Sequence, residues 1–127
     1  MEPVESNELS TFCPAYHRAV ELIGRRWTGA ILRALLTDVR RFNDLAAAVP
    51  GLSDRMLAER LRELEAEDML VRTVIPATPV RVEYSLTEKG RALESVVRAV
   101  ADWAEAWAGE RPCPEVMAEV SAGIPGV

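Results

Sequence analysis

Apolar residues recur with a helical period through the first half of the chain and again in its last third, and with a period of two in between. Tyr16, Ala19, Val20 and Ile23 stand at i, i+3, i+4 and i+7, which predicts a first helix that buries one stripe and ends at Gly24. Trp27, Ala30, Ile31, Ala34 and Leu35 repeat the spacing and predict a second helix with Arg33 left outside. Thr37 to Arg41 breaks the pattern. Phe42 then offers an apolar anchor, and Asn43 suits the N-cap of a short third helix through Leu45 and Val49 that stops at Pro50-Gly51. Ser53 is the expected N-cap of a fourth helix running to about Glu67, with Leu52 and Leu57 as a hydrophobic staple and Leu57, Leu61 and Leu64 as its core stripe.

The segment Pro50-Gly51-Leu52 has the length of the turn in a helix-turn-helix. Beyond Asp68, Leu70 to Ile75 and Val80 to Ser85 are rich in β-branched residues, and Val80, Val82 and Tyr84 alternate with Arg81, Glu83 and Ser85. They predict a hairpin closed by Pro76-Ala77-Thr78-Pro79, which sets Arg72 across from Glu83 and Arg81 across from Val74. Thr87 is the expected cap of a long fifth helix to about Ala108, with Glu88 favourable to the dipole and Leu93, Val96, Val97, Val100, Ala104 and Trp107 in one continuous apolar stripe. The expected fold class is mainly α with a β-hairpin wing: a winged helix-turn-helix with N- and C-terminal dimerisation helices. Residues 1–12 read as a flexible arm, 13–108 as the DNA-binding and dimerisation domain, and 109–127, rich in Pro and Gly, as a poorly ordered tail.

A chain of 127 residues, 49% apolar and 28% charged, suits one domain with a real core. No apolar run approaches the roughly 18–20 residues of a membrane span, and Met1-Glu2-Pro3-Val4-Glu5 lacks the layout of a signal peptide, so a cytoplasmic protein without membrane partners is expected. Cys13 and Cys113 lack metal-binding or redox-motif spacing and His17 is the sole histidine, so neither a metal nor a cofactor is expected. With no glycine-rich phosphate loop and no convergent nucleophile and base, the sequence does not read as an enzyme.

The net charge of −5 runs against DNA binding, which draws affinity from Lys and Arg displacing phosphate counterions. Its distribution softens the objection, because residues 1–39 carry −1, residues 40–91 carry 0 and residues 92–127 carry −4. At 100° per residue, Arg55, Glu59 and Arg62 fall opposite the leucines of the fourth helix. Such a face suits the major groove, where Arg bonds guanine O6 and N7 and Glu accepts from cytosine N4. Ser53 and Met56, at the N-terminal end, join that set. An isolated amphipathic helix of this composition would more often be a plain solvated face; a preceding Pro-Gly-Leu-Ser turn and a following wing favour DNA. Arg72 is better explained by a cross-strand pair with Glu83, which leaves Arg81 as the stronger wing contact. Arg40 and Arg41 suit phosphate contacts or mere solubility.

The fifth-helix stripe is too long to be covered by one hairpin, and Tyr16 belongs to a second apolar face, so a homodimer closed by Tyr16, Leu93, Val96, Val97, Val100, Trp103, Ala104 and Trp107 is expected. Trp103 and Trp107 suit a ligand pocket between subunits as well, although aromatic residues at helical spacing are more often interface core.

Cys13-Pro14, Leu22-Ile23-Gly24-Arg25-Arg26-Trp27-Thr28, Ile31-Leu32-Arg33, Arg41-Phe42-Asn43-Asp44-Leu45, Pro50-Gly51-Leu52-Ser53, Met56-Leu57, Arg60-Leu61-Arg62-Glu63-Leu64-Glu65, Pro79-Val80-Arg81-Val82-Glu83-Tyr84 and Leu86-Thr87-Glu88-Lys89-Gly90 together resemble the HxlR-type family of MarR-like regulators. The likeness spans Cys13 to about Trp107, with Met69 standing where the family usually has Gly. It implies a cytoplasmic dimer that represses or activates a nearby promoter through double-stranded DNA, with a small-molecule or oxidant effector in some members. In those members the cysteine beside the N-terminal proline is the sensor, here Cys13. Its place ahead of the first helix, where the dipole favours negative charge, suits a reactive thiolate; a buried, inert thiol is the commoner fate of a lone cysteine. The rival to a DNA-binding regulator is a winged helix that binds another protein, which the acidic total charge would suit.

Overall fold

Two aspartates in the left-handed backbone region close two of the helices, and the chain reversals they make set the order of the fold. The computed structural model describes residues 9–107. The first eight residues of the expected arm, residue 108 and the expected tail with Cys113 lie outside the described residues. α1 (Pro14–Ile23) starts with a proline in its first turn, where no amide hydrogen is needed, and ends on Gly24. Trp27, itself left-handed at φ 78°, turns the chain into α2 (Thr28–Leu36), the central helix, which buries Ile31, Leu32, Ala34 and Leu35. Asp38 (φ 70°) then ends α2 in a Schellman turn, with Val39 N donating to Ala34 O at 3.2 Å and Asp38 N to Leu35 O at 3.1 Å.

α3 (Phe42–Ala48) begins one residue after Arg41, so Asn43 lies within the helix rather than capping it as expected. The cause is tertiary. Tyr84 N donates to Arg40 O at 2.8 Å and Arg41 bridges Glu83, which keeps the backbone extended through Arg41 and lets the helix begin at Phe42. After the left-handed Gly51 (φ 87°), Ser53 caps α4 (Asp54–Ala66): its Oγ accepts from Met56 N at 3.1 Å. Leu52 and Leu57 are both buried, as a staple requires. α4 ends in a second Schellman turn, with Asp68 (φ 62°) left-handed and Met69 N donating to Leu64 O at 3.0 Å. Met69 is buried there beside Leu64, so the apolar side chain makes the contact that usually accompanies this motif.

β1 (Leu70–Ile75) and β2 (Arg81–Leu86) form the antiparallel wing. Their register is one residue away from the expected one: Arg72 stands across from Tyr84, and Arg81 across from Ile75. Burial explains the shift, because the observed register sets Leu70 opposite Leu86, both in the core, where the alternative would pair Leu70 with Ser85. Val80 accordingly leaves the ladder and joins the loop.

The expected fifth helix is two helices, α5 (Glu88–Arg91) and α6 (Glu94–Trp107). Thr87 caps the first, accepting from Gly90 N at 3.1 Å, and Lys89 Nζ donates to Glu67 O at 2.8 Å, so α5 is pinned to the start of the wing. α6 packs instead on α2. Between the two attachments Leu93 N bonds Gly90 O at 3.1 Å, a tighter turn than the α-helical one. The single stripe therefore divides: Leu93 and Val97 pack on the core, while Val96, Val100, Trp103 and Trp107 are exposed. α1 departs from expectation in the same way, with Tyr16 and Val20 exposed and no side chain fully buried. Helices with a β-hairpin directly after the second member of a helix-turn-helix make the architecture a winged helix. No helix among the described residues is long and apolar enough to cross a membrane.

Candidate nucleic-acid interface

α4 divides cleanly by side. Leu57, Leu61 and Leu64 are buried against α3 and β1, and Arg55, Glu59 and Arg62 are exposed with no hydrogen bond or ion pair among the described residues. An exposed arginine without a carboxylate partner is an available cation and donor fork, and two of them 7 residues apart on one 13-residue helix span about 10 Å, the reach of a few base pairs in a major groove. Ser53 spends one lone pair of its hydroxyl on the Met56 amide, and the hydroxyl proton and second lone pair remain. Met56 is half-buried and packs against the core, so it is less available than its neighbour Arg55.

The wing reverses the expected ranking of its two arginines. Arg81 Nε lies 3.5 Å from Glu83 Oε2, two residues along the same strand face, so Arg81 is the paired one. Arg72, freed from Glu83 by the one-residue shift in register, is exposed and has no ion pair among the described residues. Arg41 is exposed but lines an open groove of about 540 Å³ together with Asp38, Arg40, Asp44 and Glu83, and Arg40 lies 3.7 Å from Asp38. Carboxylates so placed weaken the case for phosphate at Arg41.

Cys13 is exposed, free, and the N-cap residue of α1, although its side chain makes no capping bond. Of the residues expected at a dimer interface, Tyr16, Val96, Val100, Trp103 and Trp107 present open apolar surface; Leu93 and Val97 are partly taken by the chain's own core, and Ala104 is half-buried. Sequence reasoning missed the charged contacts between α4 and the turn that precedes α2. Arg60 and Glu63 were visible as an i, i+3 pair, but their further partners, Arg25 and Arg26, lie in the turn between α1 and α2, which no local pattern brings to α4.

A family profile described as an HxlR-like helix-turn-helix matches residues 22–112. The HTH-type transcriptional regulator YodB of Bacillus subtilis (strain 168) is 42% identical over 108 residues, covering 84% of this chain and 96% of its own. The uncharacterized HTH-type transcriptional regulator YvaP of the same organism is 47% identical over 98 residues, 77% of this chain and 91% of its own. Among solved structures, the reduced form of YodB superposes with a TM-score of 0.68 at 41% identity, covering 80% of this chain and 99% of that one. YodB has also been solved diamide-treated and quinone-bound. The redox regulator HypR in its reduced form gives a TM-score of 0.69 at 36% identity, covering 75% of this chain and 94% of that one.

Proposed function

The chain belongs to the HxlR-like helix-turn-helix family of transcription regulators, not enzymes, and we propose that it acts in the cytoplasm as a homodimer that binds an inverted-repeat operator. The observation that carries this reading is the exposed, unpaired Arg55 and Arg62 on the side of α4 turned away from its buried leucines. In the reading α4 enters the major groove, Arg55 and Arg62 bond base edges, Glu59 selects cytosine, and Ser53 meets the backbone at the helix N-terminus. Arg72 supplies the wing contact, with Arg81 and Arg41 secondary. Two such helices in a two-fold dimer stand about 34 Å apart, one turn of B-DNA. The apolar residues exposed on α1 and α6 form the dimer surface.

A mobility shift with the duplex upstream of the chain's own gene, titrated with salt, tests the reading. A steep linear fall of log affinity with log salt is expected, and no retention of duplex at low ionic strength would sink it. Arg55→Ala and Arg62→Ala are each expected to weaken operator binding by about 1–3 kcal/mol with the dimer intact. Equal losses on operator and random duplex would reduce both residues to phosphate contacts.

Cys13 is the proposed oxidant- or electrophile-responsive group. Its exposure and its place at the start of α1 support this, together with the reduced, diamide-treated and quinone-bound forms in which YodB has been solved. Diamide is expected to change operator affinity of the wild type and to leave that of Cys13→Ser unaffected; a variant that still responds to diamide as the wild type does removes Cys13 from the mechanism.

A further inference from the structure

Arg60 lies neither in the buried leucine stripe of α4 nor on its outward arginine face. At 100° per residue it and Glu63 occupy one flank, between the leucine stripe and the outward arginines. Arg60 Nε donates to Arg26 O at 2.9 Å, and the same guanidinium donates to Glu63 Oε2 at 2.9 Å. Arg25 Nε reaches the other carboxylate oxygen, Glu63 Oε1, at 3.1 Å. Only 11% of the Arg60 side chain is exposed, against 51% of Arg25. Arg25 and Arg26 directly follow Gly24, which closes α1, and the Arg26 guanidinium stands 5.2 Å over the Trp27 ring. The flank of α4 is thus clamped to the turn between α1 and α2.

The Arg25–Glu63 pair adds little to stability, because an ion pair with a half-exposed arginine is screened by solvent. The consequence of the clamp is geometric. Leu57, Leu61 and Leu64, with half-buried Met56 beside them, hold α4 to the core, and the flank bonds add a directional constraint on its rotation. A roll of about 15° moves a guanidinium held roughly 8 Å from the axis by about 2 Å, beyond the tolerance of a bidentate hydrogen bond. A contact on the flank opposes that roll directly, because rotation changes its donor–acceptor distances. We propose that Arg60, Glu63 and Arg25 are positioning residues for DNA reading, a clamp that sets the roll of α4 against the α1–α2 turn and so aims Arg55 and Arg62. The proposal rests on the DNA-binding reading above.

The test compares affinity for the upstream duplex with affinity for a random duplex of equal length, using the full chain at a temperature where circular dichroism shows every variant folded. Arg25→Gln and Glu63→Gln are expected to lower the operator-to-random ratio about tenfold. Arg25→Lys, which keeps the ion pair, is expected to hold the ratio within about twofold of wild type. A simple change of charge would shift both affinities together, downward for Arg25→Gln and upward for Glu63→Gln, and leave the ratio alone. An unchanged ratio in both neutral variants overturns the clamp; if Glu63→Gln does not fold, Arg25→Gln decides by itself, since that side chain is half in solvent. Loss of preference in Arg55→Ala beside intact preference in the clamp variants overturns this inference and spares the DNA-binding reading. A wild type that prefers no duplex overturns both.

Discussion

Val100→Glu combined with Trp103→Glu is expected to yield a folded monomer whose operator affinity is about 10²–10⁴ times weaker than that of the wild type. Val100 and Trp103 are 61% and 67% exposed in the single chain, so glutamate at either position costs the subunit no core contact. In the proposed dimer both side chains are covered, and two carboxylates buried there without partners would each oppose association. The loss of DNA affinity follows from the loss of linkage. A dimer that has placed one reading helix holds the second near its half-site at a high effective concentration, and a monomer forfeits that gain with every base contact intact. Sedimentation reads the mass, and a mobility shift reads the affinity. A double variant that still sediments as a dimer would move the interface off α6, and unaltered operator binding by a proven monomer would remove the two-fold operator.

Local chemistry made most of the fold legible. Ser53 and Thr87 announced helix starts because a hydroxyl at the N-cap satisfies a nearby amide, whatever the rest of the chain does. Leu57, Leu61 and Leu64 announced the buried side of α4, and with it the arginines opposite, because helical geometry ties the two together. What stayed hidden depended on residues distant in sequence. The start of α3 is decided by Tyr84, which takes up the Arg40 carbonyl from the far side of the hairpin. The register of the wing is decided by Leu70 and Leu86 meeting in the core, and a count of loop residues cannot see that meeting. One residue of register was enough to set Arg72 opposite Tyr84 instead of Glu83, while Arg81 meets Glu83 along its own strand. The division of the last helix has the same origin, since Lys89 answers to the end of α4 while Glu94–Trp107 answers to α2. For the site, the outward face of α4 could be read from spacing, whereas the bonds that orient it join Arg60 to Arg26 across 34 residues.

Gly90→Val is expected to destabilise the protein by about 3 kcal/mol, seen as a lower denaturation midpoint in urea at an unchanged slope. A glycine inside a helix is ordinarily a weakness, and its replacement by alanine stabilises by roughly 1 kcal/mol. Here the sign reverses because of what surrounds it. A Cβ on Gly90 would collide with the Met69 carbonyl oxygen and lie 2.9 Å from Leu86 Cδ2. The carbonyl cannot yield, since it accepts from Thr87 N at 3.0 Å, and the adjacent Asp68 carbonyl accepts from Thr87 Oγ1 at 2.7 Å. Those bonds join the end of α4 to the exit of the wing, and Leu86 is itself a buried member of the core. Alanine is expected to destabilise as well, by less than valine, and valine's extra methyl groups aggravate the same clash. Because the junction also directs α6 toward α2, the surviving folded fraction is expected to dimerise less tightly. A Gly90→Ala protein more stable than the wild type would show that this approach is slack, and the pinning of α5 would then lose its role in setting the direction of α6.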